Sequence, residues 1–143
     1  MKKLHNNLLV AGQITASSFN ELERAGITTI INNRPDNEEP GQFNSEQARI
    51  AAAQHNMEYH YLPMANGQPL PADLVDNFKT ALEASTGNVL AHCRSGMRSS
   101  FIWALGAIAD GEVTVDEAIN AAQSTGIPLQ NAKAVLESVK PDS

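Results

Sequence analysis

His92, Cys93, Arg98 and Ser99 stand together in the stretch NVLAHCRSGMRSSFIW, residues 88–103, and Cys93 is the only cysteine of the chain. A thiolate is a strong nucleophile, and an arginine offers a planar fork to two oxygens of an anion. Val89-Leu90-Ala91 reads as a strand, and Ser99 or Ser100 as the opening of a helix through Ile102, Leu105 and Ile108. The residues between them form a loop. Loop amides and a helix N-terminus carry partial positive charge, which binds oxyanions and favours a thiolate. Cys93 is therefore the expected nucleophile, and residues 94–98 (Arg94, Ser95, Gly96, Met97 and Arg98) the expected anion-binding loop. In this reading Arg98 reaches back over the loop and Ser99 lends its hydroxyl to the thiolate. Gly96 permits the tight turn, and Met97 forms an apolar wall at the mouth. His92 supports the loop through ring hydrogen bonds. A lone cysteine is more often an inert buried residue. That alternative leaves unexplained two arginines, three serines and a glycine gathered around this one. A Walker A loop is excluded, because no Gly-Lys-Ser/Thr sequence occurs.

The elements that must hold this loop can be read along the chain. Leu8 to Ala11 is a first strand, followed by a helix through Phe19, Leu22 and Ala25 that Gly26 ends. Ile27 to Ile31, β-branched throughout, is a buried strand. NRPDNEEPGQ, residues 33–42, is an acidic turn-rich loop in which Glu38 and Glu39 are expected to be solvated. Asn44 or Ser45 caps a helix, Glu58 to Leu62 is a third strand, and Pro71 suits the first turn of another helix. Val89 to Ala91 is the fourth strand. Thr114 with Glu117 makes a capping-box pattern, and a last helix runs to about Val139. Strands that alternate with helices predict an α/β fold: three layers, with a mostly parallel central sheet of four to five strands flanked by helices. Residues 1–143 form one domain, the helices from about 112 packing as a cap. Ligands of such sheets bind at the carboxyl ends of the strands, where Cys93 lies.

Composition narrows the partners. The net charge of −6 argues against a nucleic-acid or anionic-membrane surface, which would need a basic patch. A small anionic substrate remains compatible, because Arg94 and Arg98 make one loop locally positive. A single cysteine forms no internal disulfide, and His5, Asn6 and Asn7 interrupt any signal-peptide core, so the expected compartment is the cytoplasm. His5, His55 and His60 show no metal-ligand spacing with one another or with Cys93, and neither a metal nor a cofactor is expected. Trp103 reads as packing.

HCRSGMRSS resembles the signature loop of cysteine-based phosphatases, where His-Cys opens the loop and Arg-Ser/Thr closes it. VAGQITASSFNELERAGITTIINNRPDNE and EYHYLPM, which precede it, resemble the small bacterial phosphatase-like domain found attached to beta-lactamase-like hydrolases. The resemblance covers roughly residues 8–110. It implies a fold like that of the protein tyrosine and dual-specificity phosphatases, with Cys93 as nucleophile, Arg98 as phosphate-binding arginine and Ser99 as the assisting hydroxyl.

Two departures bear on the chemistry. Protein tyrosine phosphatases place five residues between cysteine and arginine, whereas here there are four, Arg94 to Met97, a spacing that resembles the active loop of rhodanese sulfurtransferases. Phosphatases of this fold also carry an aspartate after the strand resembling residues 58–62, yet residues 63–69, PMANGQP, contain no carboxylate. Asp36, at the carboxyl end of the second strand, is the leading substitute acid, although an aspartate after proline is also a common turn-former. Asp73 stabilises a helix dipole, and Arg34 either adds charge to the site or pairs with Glu38 or Glu39. The expected activity is hydrolysis of a phosphate ester through Cys93. The alternative is sulfur transfer from a sulfane-sulfur donor through a Cys93 persulfide, which needs no acid.

Overall fold

The computed structural model describes residues 1–141; residues 142 and 143 of the expected domain lie outside the described residues. A five-stranded sheet has the order β1-β2-β5-β3-β4, formed by β1 (Lys2–His5), β2 (Leu8–Ala11), β3 (Ile27–Asn32), β4 (Glu58–Tyr61) and β5 (Asn88–His92). β2, β5, β3 and β4 run parallel, and β1 pairs antiparallel with β2 at the edge. Five strands fall within the expected four to five, but this edge strand is not among the four located from the sequence: Lys2-Lys3 lacks an apolar run, and pairing with β2 makes it a strand. Asn6 turns the chain between the two, at a φ of 49°.

The helices are α1 (Phe19–Arg24), α2 (Ser45–Gln54), α3 (Leu74–Ala84), α4 (Met97–Ala109), α5 (Val115–Ser124) and α6 (Lys133–Ser138). Alternation along the strands sorts the core into two layers. Val89 and Ala91 of β5 join Ile31 and residues of α3 through α6 on one face, including Phe78, Ile102 and Leu136. Leu90 joins Ile30, Phe19, Leu22 and Ala52 on the other face, under α1 and α2. The capping box expected at α5 forms, Thr114 Oγ1 accepting from Glu117 N at 3.0 Å. α5 and α6 pack against α4. No helix among the described residues is long and apolar enough to cross a membrane.

The topology determines what surrounds the cysteine loop. β5 is last in sequence among the strands but lies between β2 and β3. Its carboxyl end therefore emerges between the exits of those two strands. The exit of β2 touches the loop from behind: Gln13 N donates to the Arg94 carbonyl at 3.2 Å. A Cβ placed on Gly12 would stand 2.7 Å from that carbonyl oxygen, so the approach requires glycine there. Replacing Gly12 by alanine forces backbone against backbone. The expected loss is about 1–3 kcal/mol, the usual cost of overpacking, read as a lower urea midpoint at unchanged slope; an unaltered midpoint contradicts the contact.

Candidate active site

Cys93 follows β5 directly and is 1% exposed. Its sulfur accepts a hydrogen bond from the Gly96 amide at 3.1 Å. Gly96 lies at a φ of 96°, a left-handed conformation that glycine adopts without strain, and it stands as the N-cap of α4. Helix α4 thus begins at Met97, ahead of the expected Ser99 or Ser100. The early start places Arg98 and Ser99 in the first helical turn, where backbone N–H groups have no helical acceptor and the dipole is positive. Arg94, Ser95 and Met97 are exposed along the loop, while Arg98 is 7% exposed.

The guanidinium of Arg98 is engaged by a neighbouring loop. Nη1 donates to Glu38 Oε2 and to the Met64 carbonyl, both at 2.8 Å, and Nη2 donates to Glu38 Oε1 at 2.9 Å. The expectation that Glu38 is simply solvated is corrected here, because its carboxylate turns inward between two arginines. Arg34, 1% exposed, donates from Nε to Glu38 Oε1 at 2.8 Å, from Nη2 to Glu39 Oε1 at 3.2 Å and from Nη1 to Gln13 Oε1 at 3.0 Å. Both pairing alternatives for Arg34 are therefore realised, and it lies beside the site as well. The Arg98 hydrogen bonds hold the Glu38 carboxyl down at about 2, from 4.5; burial opposes this and Arg34 adds to the lowering. The same pairing raises the pKa of Arg98, against the effect of burial and with a smaller electrostatic contribution from Cys93.

Other expected site residues take different partners. Ser99 is fully buried and donates its hydroxyl to Asn33 Oδ1 at 2.8 Å, so in this structure the hydroxyl serves the scaffold rather than the sulfur. Neither ring nitrogen of His92 reaches a partner at hydrogen-bonding geometry, which corrects the expected ring anchors. The ring acts as buried packing. Desolvation lowers its pKa to about 4, with a Cys93 backbone contact opposing and the Arg34 charge reinforcing, so it is neutral at pH 7. Asp36 accepts from Ser45 N at 2.8 Å and from Ser45 Oγ at 2.6 Å, one contact on each carboxylate oxygen. It ties its loop to the start of α2. Asp73 is the N-cap of α3, without a side-chain cap bond.

Two contributors were not singled out from the sequence. Asn33 is fully buried: its amide donates to the His92 carbonyl at 2.8 Å, and its Nδ2 donates to the Leu62 carbonyl at 2.8 Å. Gln13 links the loop backbone to Arg34. The available signal was position, since polar residues at the carboxyl ends of strands neighbouring the nucleophile's strand converge on the same crevice. Among the described residues no group of three His, Cys, Asp or Glu side chains stands where it could hold a metal ion.

Residues 1–110 match the family model for the phosphatase-like domain of beta-lactamase hydrolase-like proteins. The chain belongs to this family. A beta-lactamase hydrolase-like protein from Xylella fastidiosa is 32% identical over 134 residues, 94% of the chain but 31% of that relative's length. The chain thus spans about a third of the curated relatives it matches. A crystal structure of a candidate phosphatase from Neisseria meningitidis superposes with a TM-score of 0.87 at 31% identity, covering 97% of each chain. The core catalytic domain of the PP-IP phosphatase SIW14 from S. cerevisiae shares the fold, with a TM-score of 0.69 at 13% identity over 95% of this chain and 82% of that one. The architecture is that of the protein tyrosine phosphatases, as expected. In this family member the phosphatase-like fold brings Cys93, Gly96 and Arg98 to one strand-to-helix turn.

The Glu38 ion pairs have a pH signature. Folding lowers this pKa from 4.5 to about 2, so the stabilisation is fully present above the unfolded value and fades as pH falls from 4.5 towards 2. Thermal unfolding of the Glu38→Gln variant across pH is expected to show lower stability at pH 7 and a flatter decline between pH 4.5 and 2. An acid profile identical to that of the parent protein rules out the assignment.

Proposed function

We propose that this domain is a cysteine-dependent phosphatase in which the Cys93 thiolate attacks the phosphorus of a phosphate ester. The observation that carries the reading is the Gly96 N–H on the Cys93 sulfur at the N-terminus of α4, with Arg98 in the helical turn that follows. The sulfur forms a bond to phosphorus while the ester oxygen departs with its electron pair. Water then attacks the phosphocysteine, releases phosphate and regenerates the thiol. The amides of the 94–98 loop and the Arg98 guanidinium hold the equatorial oxygens, where charge develops in the transition state. A phosphate that reaches Arg98 shares or replaces the Glu38 carboxylate.

Both oxygens of Asp36 accept from Ser45, and residues 63–69 hold no carboxylate, so the proposal assigns no side chain as general acid. Such help is worth about 10²–10⁴-fold. Its absence commits the enzyme to leaving groups that depart without a proton, such as acidic phenols. A small phosphate ester is the proposed partner, and a reducing cytoplasmic setting suits the single free cysteine.

Two features support a second reading, the rhodanese type of sulfur transfer. They are the four-residue spacing from Cys93 to Arg98 and the missing acid. The Cys93 thiolate would take the outer sulfur of a sulfane-sulfur donor as a persulfide, releasing the donor's remainder, and pass that sulfur to an acceptor thiolate.

Aryl phosphate hydrolysis is expected to vanish in Cys93→Ser and to fall about 10²–10³-fold in Arg98→Lys, the range for losing an oxyanion-stabilising donor. Across substituted phenyl phosphates, kcat/KM should rise steeply as the phenol becomes more acidic. Turnover that survives Cys93→Ser refutes the phosphatase reading. A Cys93 one sulfur atom heavier after exposure to thiosulfate, together with no phosphate release, selects the second.

A further inference from the structure

Arg34 is the largest fully buried side chain among the described residues and is not among the groups that the proposed chemistry uses. Its three hydrogen-bonding nitrogens point to three acceptors: Gln13, Glu38 and Glu39. Two of these lead back to the anion loop from opposite ends. Gln13, whose Oε1 accepts from Arg34, donates its backbone N–H to the carbonyl of Arg94, the first residue after Cys93. Glu38, which accepts from Arg34 Nε, accepts also from both terminal nitrogens of Arg98, at the far end of the loop. The contacts Arg94–Gln13–Arg34–Glu38–Arg98 therefore close a ring, whose remaining side is the cysteine loop itself.

A fully buried arginine is costly unless its charge and its N–H groups are matched. Here the cost is offset by two carboxylates and an amide oxygen, contributed by the exit of β2 and the loop after β3. This arrangement holds two loops from different strands at set distances from one cation. A lysine has no planar fork and could not serve Gln13 and Glu38 from separate, fixed directions.

We propose that Arg34 is a positioning residue for the anion site: it holds the Arg94 carbonyl through Gln13 and the Arg98 guanidinium through Glu38, so that the 94–98 loop has its oxyanion-binding shape before an anion arrives. Preorganisation of this kind raises affinity and transition-state stabilisation without contact between Arg34 and the ligand. The inference rests on the 94–98 loop being the oxyanion site, as in the phosphatase reading, but not on which reaction follows.

The test uses Arg34→Gln, Arg34→Lys and the milder Gln13→Ala, each checked for cooperative unfolding. Affinity for inorganic phosphate is measured by calorimetry and hydrolysis of an aryl phosphate by initial rates. In Arg34→Gln, phosphate affinity and kcat/KM are expected to fall together by about tenfold or more, with Arg34→Lys recovering part of the loss. Gln13→Ala should shift both in the same direction by less, because it removes one arm of the ring. Folded Arg34→Gln protein with unchanged phosphate affinity overturns the inference. Should Arg34→Gln fail to fold, unchanged affinity in both Arg34→Lys and Gln13→Ala overturns it equally. Failure of the phosphatase reading shows separately, as turnover that persists in Cys93→Ser. The phosphate measurement does not depend on that result.

Discussion

The arrangement depends on the fully buried Asn33, where four polar contacts converge just past the carboxyl end of strand β3. Its amide donates to the His92 carbonyl, its carbonyl accepts from Met64 N, its Nδ2 donates to the Leu62 carbonyl, and its Oδ1 accepts from Ser99. A buried amide side chain must be satisfied on both sides, or it costs about 1–3 kcal/mol for each group left without a partner. Here satisfaction requires β5, the segment after β4 and the first turn of α4 to meet at one point. That meeting places the last residue before Cys93, the segment that contacts Arg98, and α4 itself in register. The cysteine loop is thus held at both ends by a residue that contributes nothing to its charge.

Charge is balanced locally rather than globally. The protein carries a net −6, yet two of its arginines are almost wholly buried around one carboxylate. Arg34 and Arg98 would repel one another and pay full desolvation were Glu38 not between them. The carboxylate thereby holds both guanidinium groups in place. In the proposed function a phosphate meets a guanidinium already desolvated and already oriented, and it enters an exchange of one oxyanion for another. Such an exchange costs less than stripping a hydrated arginine, although it gains less as well.

The absence of a carboxylate from residues 63–69 gives the proposed chemistry its direction. Met64 offers a backbone carbonyl to Arg98, and the rest of the segment offers apolar side chains and amides. Asp36 is drawn away by Ser45 through two hydrogen bonds at the first turn of α2. In the proposed reaction this leaves electrostatic stabilisation by the loop amides and Arg98 as the main catalytic contribution.

Much of this could be read from the chain. The β-branched run at 27–31, the apolar run at 89–91 and the helix signals between them specify a parallel α/β sheet, because periodicity and capping are local properties. The His-Cys to Arg-Ser segment points to the proposed cysteine nucleophile and anion-binding turn, because all of its parts lie within one stretch of sequence. The edge strand β1 was not legible: Lys2 and Lys3 become a strand only through pairing with β2. The partners of the site were not legible for a similar reason. Glu38 lies 60 positions from Arg98 and Asn33 lies 66 from Ser99, and only the insertion of β5 between β2 and β3 brings them together. Sequence alone singled out Cys93 as the proposed nucleophile together with its loop, whose groups are neighbours along the backbone. Tertiary structure decided which charges face that loop, since buried ion pairs are selected by strand order and desolvation across the fold.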